Sequence, residues 1–391
     1  MTPDRAELEA TVRRLAAIDR PSASPGEREA AEWIAARLRE HGADARVEEE
    51  RAHGTYWWPG LGLGAIATAA GVAGLRGRRL LGAGAGAFAA AGMYAEVSGG
   101  TQWFRRVLPT RSTWNVVAEA GDRAAARTIV FVAHHDAAHG GLMFDDRPIR
   151  WAGDRFPQLF DGADQWPPVA ALPFAAAGLV AAGSAAGVGG LIAAGLTATA
   201  VTMASFVDIA RSDVVPGAND NATAVAVVVA LAGILGEQPV EGIRVLLVST
   251  GSEESHMEGM RAFAHRHFPS LPREQTTFVC VECVGSEQEL VLVEGEGMIR
   301  MRQYPDAVKG LLLDAARRVG VRLRRGLKVR FSTDGLIALR AGYPCAAIGA
   351  IDRYKLPSNY HKPTDTPENV NYDNVLDCVK VCDAVIRELA A

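Results

Sequence analysis

The sequence predicts an α/β fold with a mixed, mostly parallel sheet and helices on both faces. Short apolar runs typical of buried strands alternate with helical segments along most of the chain, which indicates parallel strands joined by helices. At 391 residues with 49% hydrophobic residues, the chain is long enough to build a large core. Two Gly- and Ala-rich apolar segments, residues 56–97 and 167–207, interrupt this alternation and are predicted to be inserts.

The first half of the pattern begins with a capping box, Ser24-Pro25-Gly26-Glu27, and a helix that ends near Gly42. Residues 46–50 predict a short strand. Residues 114–119 and 128–133 predict two further strands, and the short polar loop between them indicates an antiparallel hairpin.

The second half alternates more regularly. An apolar run over residues 222–235 predicts a buried helix, and strands and helices then follow in turn. They are predicted as strand 243–249, helix 257–268, strand 277–284, helix 305–319, a helix after Asp334, strand 345–350 and a helix from about 374 to 389. The carboxyl ends of the parallel strands meet at one edge, where ligands gather in such folds.

Ionisable side chains lie at this predicted edge. The residues at or just after strand ends are His134, Glu253, Glu254, Glu282 and His361, and Asp220 lies at the start of the helix 222–235. Helix N-termini favour negative charge, and imidazole with carboxylate ligands but no thiolate fits zinc best. Each residue has another interpretation, such as an N-cap for Asp220 or a core histidine for His134. Their occurrence together at consecutive strand ends favours a metal site.

Charge and cysteine usage exclude other classes of function. A net charge of -4 without a long basic run argues against nucleic-acid binding. The five cysteines form no framework typical of small disulfide-rich domains and are expected to be reduced and mostly buried. The N-terminus has no apolar stretch of the signal-peptide type, so no cleavable signal peptide is expected.

Seven motifs in chain order resemble the zinc exopeptidases of peptidase family M28, which includes bacterial aminopeptidases, relatives of glutamate carboxypeptidase, and glutaminyl cyclases. They are Ser24-Pro25-Gly26-Glu27-Arg28, Asn115-Val116-Val117-Ala118-Glu119, Ala133-His134-His135-Asp136, Gly217-Ala218-Asn219-Asp220-Asn221, Glu253-Glu254, Glu282-Cys283-Val284-Gly285, and Tyr360-His361 with Asp365-Thr366-Pro367-Glu368-Asn369. The resemblance implies a single zinc-exopeptidase domain over residues 1–391, interrupted by the two apolar inserts, and a peptide substrate.

The same resemblance implies two zinc ions. It makes His134 and Glu282 ligands of one ion, Glu254 and His361 ligands of the other, and Asp220 the bridge between them.

The catalytic roles also follow from the resemblance. Glu253 is implied as the general base that takes a proton from the attacking water. Tyr360 matches a hydroxyl that donates to the developing oxyanion, and Asp136 holds the second ring nitrogen of His134.

One position departs from the family pattern, because aminopeptidases of the family usually carry Asp where this chain has Glu282. An aminopeptidase remains the simplest expectation, but a carboxypeptidase or a glutaminyl-cyclase-like acyltransferase stays open. An inactive membrane scaffold or receptor is a third alternative, although no expected ligand is replaced by an apolar residue. His135, His139 and His256 match no ligand position and are expected to be bystanders.

The two inserts predict membrane helices. Residues 167–207 contain no charged residue and are long enough for two crossings with a turn near 183–190, since one crossing needs about 20 apolar residues. Residues 56–75 and the shorter 80–95 are two further candidates, and the arginines between them, Arg76, Arg78 and Arg79, must mark a surface turn. The expected location is a multi-pass cell membrane, with the side of the catalytic domain undetermined. The alternative is that these helices pack inside a soluble assembly, and a homo-oligomer stays open.

Overall fold

The computed structural model describes residues 4–158, 164 and 167–391. Its strands are β1 (Asp44–Ala52), β2 (Arg111–Gly121), β3 (Thr128–His134), β4 (Arg244–Thr250), β5 (Thr276–Glu282), β6 (Leu290–Leu292), β7 (Gly295–Glu296), β8 (Arg302–Gln303), β9 (Lys328–Val329) and β10 (Cys345–Ala350). A seven-stranded sheet has the order β1-β2-β4-β3-β5-β10-β6, and a small sheet has the order β8-β7-β9.

The central strands confirm the predicted sheet type. β4, β3, β5 and β10 are neighbours and run parallel, while the pairs β1–β2, β2–β4 and β10–β6 are antiparallel. All seven residues of β3 are buried, as expected for a strand with helices on both faces. The fold is therefore mixed α/β with a mostly parallel centre.

The predicted hairpin between residues 114–119 and 128–133 is wrong. β2 and β3 run antiparallel, but β4 lies between them and pairs with both, so that Ser249 faces Val116 on one side and Ala133 on the other. The apolar sequence of β4 suits burial between two strands, and this pairing is too distant in sequence for a local pattern to reveal. The start of β2 still lies at the same sheet edge as the end of β3.

The helices are α1 (Arg5–Ala16), α2 (Pro25–Glu40), α3 (Trp57–Leu75), α4 (Arg79–Val97), α5 (Arg147–Arg155), α6 (Leu172–Ala186), α7 (Gly189–Arg211), α8 (Thr223–Glu237), α9 (Glu258–His267), α10 (Asp306–Arg318), α11 (Gly335–Arg340) and α12 (Tyr372–Ala390). The sequence analysis did not predict α1, α5 or the small sheet. α8 packs between the sheet and the helices α1 and α12, and nearly all of its side chains are buried. The helix α8 therefore lies at the centre of the hydrophobic core on one face of the sheet.

The two inserts form helical hairpins that project from the α/β part of the chain in one direction. α3 and α4 join through a turn at residues 76–78, and α6 and α7 join through Gly187 and Val188. A side chain at Gly187 would collide with the guanidinium of Arg79, so both turns lie at the same distal end. At the near end, the Trp57 ring contacts His139 of the α/β part of the chain with ring centroids 5.0 Å apart.

Glycines allow α3 and α7 to approach closely. A Cβ atom at Gly60, Gly64 or Gly71 would collide with the facing side chains of α7, which are Phe206, Met203 and Leu196 respectively. Small residues on the contact face of a helix let the backbones of two helices approach closely, as is common in membrane helices.

Within the part of the chain that the structure describes, five helical segments are long and apolar enough to cross a membrane by length and composition. Four belong to the inserts, and between 17% and 44% of their residues are buried. The fifth, Ala218–Glu237, contains α8 and is 94% buried in the core of the α/β part of the chain. Among these five segments, the four in the inserts therefore expose much more of their surface than the segment that contains α8.

Candidate active site

The carboxyl ends of the parallel strands bring the predicted site residues together. His134 is the last residue of β3, and Glu282 is the last residue of β5. Glu253 and Glu254 follow the end of β4, and His361 lies in the loop after β10. Since β4, β3, β5 and β10 are adjacent in the sheet, these side chains meet at one edge.

Asp220 lies between the two histidines. Its Oδ1 is 3.2 Å from Nε2 of His134, and its Oδ2 is 3.3 Å from Nε2 of His361. On one side, Glu282 Oε1 is 3.1 Å from the same nitrogen of His134. On the other side, Glu254 Oε2 is 3.2 Å from the same nitrogen of His361. The arrangement is two histidine–glutamate pairs that share one carboxylate.

The donor atoms of this cluster fit zinc. Ligands bonded to a tetrahedral zinc at about 2.0–2.2 Å lie about 3.3–3.6 Å from one another, which is close to the separations observed here. Several of the atoms have no hydrogen-bond partner among the described residues: Asp220 Oδ2, Glu254 Oε1, Glu282 Oε2 and His361 Nε2. Buried polar atoms without partners are costly, and a divalent cation would satisfy them together.

The loop that carries Asp220 is held from outside by groups that the sequence analysis did not assign. The guanidinium of Arg20 is fully buried and donates to the carbonyl oxygens of His135, Pro216 and Gly217. The carboxylate of Asp365 accepts the backbone N–H groups of Asn219 and Asp220 at 2.7 and 3.0 Å. The peptide bond after Asp220 is cis. Asp365 belongs to a motif quoted above, whereas nothing local marks Arg20.

Asp136 connects one histidine to both glutamates that follow β4. Its Oδ1 is 3.4 Å from Nδ1 of His134 and accepts the N–H of Glu253 at 3.0 Å. Its Oδ2 accepts the N–H of Glu254 at 3.1 Å and the hydroxyl of Ser22 at 2.6 Å. Burial, the largest single effect, opposes the charge on Asp136, but the hydrogen bond and charge of His134 together with the hydrogen bonds from Ser22 and Glu253 outweigh it and lower the pKa of the carboxyl.

The capping box also supports the site. Glu27 donates its N–H to the hydroxyl of Ser24, as predicted, but its carboxylate accepts from both the N–H and the hydroxyl of Ser252. A helix-capping residue thus fixes the turn that precedes Glu253 and Glu254.

Glu253 is in an environment that favours its protonated form. Burial raises the pKa of its carboxyl well above the usual range, and three neighbouring carboxylates add to this shift. They belong to Asp334, Glu254 and Glu282. The positive charge of His134 acts in the opposite direction. A carboxylate with a raised pKa is suited to accept a proton near neutral pH.

The two histidines of the cluster have raised pKa values. Burial opposes a charge on His134, but the carboxylates of Glu282, Asp136 and Asp220 outweigh it and hold the pKa well above its ordinary value. Burial also opposes a charge on His361, yet neighbouring carboxylates raise its pKa to about 10. Both rings therefore carry a proton on each nitrogen and a positive charge at neutral pH in the zinc-free protein. A metal ion must displace one of these protons to bind the ring.

Tyr360 borders the cluster. Its ring stacks on that of His361 with centroids 3.9 Å apart and lies edge-on to Phe144 at 6.0 Å. Burial, with the charge of Glu254 next in effect, raises the pKa of its hydroxyl, which therefore stays protonated and able to donate. Tyr360, Glu253 and Glu254 all line one cavity of about 300 Å³.

The three histidines that were expected to be bystanders near the ligands in sequence lie outside the cluster. His135 is buried beside the hydroxyl of Ser249, and burial lowers the pKa of its ring to about 3. His139 is 2.8 Å from the carbonyl oxygen of Ser212. His256 lines the cavity described above.

Sequence comparison identifies a family for the C-terminal half of the chain. Residues 194–386 match the model of Peptidase family M28. The matched part contains four of the five clustered side chains, all but His134. No curated protein matches the chain at a significant level of sequence similarity.

Solved structures share the fold over nearly the whole chain. An aminopeptidase from Aneurinibacillus sp. strain AM-1 is 15% identical in sequence, with a TM-score of 0.58. The alignment covers 99% of this chain and 94% of the aminopeptidase chain. A glutaminyl cyclase from Fimbriiglobus ruber is 13% identical with a TM-score of 0.58, covering 99% and 96%. A Zn-dependent exopeptidase from Parabacteroides distasonis is 11% identical with the same TM-score, covering 99% of both chains. Residues 194–386, just under half of the chain, thus match peptidase family M28, which supports a metallopeptidase, and the whole chain shares the fold of the solved structures named above.

Proposed function

We propose that this protein is a membrane-associated dinuclear zinc exopeptidase, and most simply an aminopeptidase. The observation that carries the proposal is the position of Asp220, whose two carboxylate oxygens face the Nε2 atoms of His134 and His361 at 3.2 and 3.3 Å. A carboxylate that faces one histidine with each oxygen suits a bridge between two ions. His134 and Glu282 would hold one ion, and Glu254 and His361 would hold the other.

The zinc ions would supply Lewis acidity, which polarises a peptide carbonyl and lowers the pKa of water. Glu253 would accept the proton of the attacking water and return it to the leaving amine, a role consistent with its raised pKa. Tyr360 would donate a hydrogen bond from its hydroxyl to the oxygen on which negative charge develops. Asp136 would orient His134 and, through two N–H groups, the chain that carries Glu253 and Glu254.

Glu282 is compatible with an aminopeptidase. Its carboxylate oxygen lies 3.1 Å from Nε2 of His134, so the longer side chain still reaches the cluster. The choice between aminopeptidase, carboxypeptidase and glutaminyl-cyclase-like activity rests on the substrate end that the site accepts. Peptides with a free N-terminus, an acetylated N-terminus or an N-terminal glutamine separate these activities directly.

The inserted helices support a membrane location. α3 and α4 each contain 19 residues, and α7 contains 23, which correspond to about 28 and 34 Å at about 1.5 Å per residue. Large apolar side chains such as Leu80, Leu81 and Leu191 are exposed on them. Lipid would cover these side chains. Arg76 and Arg78 at the distal turn would lie in the headgroup region on the far side of the membrane from the catalytic domain.

A metal and cleavage assay on the full-length protein in detergent tests the proposal. The expected result is two zinc ions per chain and cleavage of peptides with a free N-terminus, with no cleavage of their acetylated forms. Cleavage of acetylated peptides from the C-terminus would assign the protein to the carboxypeptidase alternative. A protein that binds zinc but cuts neither peptide would contradict the exopeptidase proposal.

A further inference from the structure

The cavity of about 300 Å³ that contains Glu253 and Glu254 extends into the inserted helices. α4 and α7 each pack on α3 and α6, so they face one another across the bundle. Near the catalytic domain both contribute to the cavity wall, through Met93 and Val97 on α4 and through Val201 and Phe206 on α7. The inserts therefore form one side of the space next to the candidate catalytic groups.

The cavity opens along an apolar rim. Four of its lining side chains are more than half exposed: Met143, Val169, Leu172 and Val201. Val201 lies on the outer surface of α7, two turns before the polar residues Asp208 and Arg211 at the end of that helix. This position is the boundary between the apolar and polar parts of the bundle. A bilayer around the bundle would thus reach the rim.

Apart from atoms of the candidate metal ligands Glu254 and His361, two buried polar atoms in the wall have no partner among the described residues. The hydroxyl of Ser332 makes no hydrogen bond, and this residue is 8% exposed. Glu96 is 4% exposed and uses only Oε2 to bind Arg105, which leaves its Oε1 without a partner. The N–H and C=O groups of a peptide backbone can pair with such atoms, whereas an alkyl chain cannot.

We propose that this cavity binds the apolar residues next to the cleaved bond of hydrophobic peptides, which enter from the bilayer through the apolar rim. The substrate class is therefore peptides with the composition of membrane-spanning segments. The inference rests on the proposed exopeptidase function and specifies its substrates. It assigns the two inserts a role in selecting the substrate in addition to holding the protein in the membrane.

The test compares two threonines of α7. Thr202 lines the cavity and is partly buried, whereas Thr197 is exposed on the same helix and lines no described part of the cavity. Full-length zinc-loaded protein in detergent would be assayed with peptides of equal length that begin Leu-Leu-Leu or Ala-Ser-Gly. The unmodified protein should prefer the leucine peptide by about tenfold or more in kcat/KM, as expected for an apolar binding site.

Thr202→Trp fills part of the cavity and should reduce that preference at least about fivefold, while Thr197→Trp should leave it unchanged. Equal rates for the two peptides in the unmodified protein would overturn the inference without affecting the proposed function. An equal loss on both peptides in Thr202→Trp would also overturn it, because that result indicates general damage. Preferential hydrolysis of a long-chain N-acyl amino acid would overturn the inference, because the substrate class would then be a lipid and not a hydrophobic peptide. Absence of any peptide cleavage would instead contradict the proposed function.

Discussion

α8 and the inserted helices have similar composition and opposite surroundings. All are long, rich in alanine and glycine or valine, and apolar enough to cross a membrane. α8 is enclosed by the sheet and by α1 and α12, whereas the inserted helices expose much of their surface. Hydropathy therefore identifies helices that avoid water, but the packing of the rest of the chain decides whether protein or lipid covers them.

The two regions are also expected to have different functions. The catalytic domain gathers carboxylates and histidines at the ends of its strands, and the bundle adds apolar walls beside them. Variants in the first region should affect every substrate. Variants in the second region should affect membrane association or the choice of substrate. The predictions below test this division, from the largest expected effect to the smallest.

A polar substitution in α8 should prevent folding. Val227 is fully buried, so Val227→Asn removes apolar burial and leaves an amide without partners, at a cost of more than about 3 kcal/mol. Leu81→Asn on α4 is the matched control, because Leu81 is exposed near a helix end. We expect no folded, zinc-binding protein for the first variant and normal thermal unfolding in detergent for the second. Equal stability of the two variants would contradict the assignment of α8 to the core.

Much of this arrangement follows from the sequence, for identifiable reasons. The buried strands, α8 and the clustered residues were predicted because apolar runs and the polar groups at their ends are local features. The pairing of β2 with β4 was not, because its partners are more than a hundred residues apart. Arg20 was missed for the same reason, since its role depends on carbonyl groups from residues 135 and 216–217.

Removal of the candidate base should abolish activity on all peptides. Glu253→Gln keeps the size of the side chain but cannot accept the proton, so kcat should fall by about a hundredfold or more. Zinc content measured by mass spectrometry should stay at the unmodified level. Loss of zinc would indicate that Glu253 and Glu254 exchange roles, and full activity would reject the mechanism.

Asp136→Asn should weaken zinc binding by about 10–100-fold, because an amide orients His134 less strongly than a carboxylate. Competition with a chelator of known affinity measures this change. Ser22→Ala removes only the hydroxyl that donates to Asp136 and should have a smaller effect on zinc affinity. An unchanged affinity in Asp136→Asn would show that the contact with His134 is not needed for zinc binding.

Zinc binding should release protons at pH 7. The pKa of His361 in the zinc-free protein is about 10, so the ring is protonated there, whereas a zinc ligand must be neutral. The apparent affinity should consequently rise with pH. Calorimetric titrations in two buffers with different heats of ionisation measure the number of protons released, and His361→Gln should release fewer. Binding heats that do not depend on the buffer would contradict this account of the site.

The most direct test of a zinc peptidase built around a membrane bundle is the distribution of peptidase activity after carbonate washing of membranes from cells that produce the full-length chain. The account predicts that hydrolysis of a peptide with a free N-terminus stays with the washed membranes, disappears with a chelator and returns with zinc. Active, full-length protein that is monodisperse in the soluble fraction without detergent would contradict it.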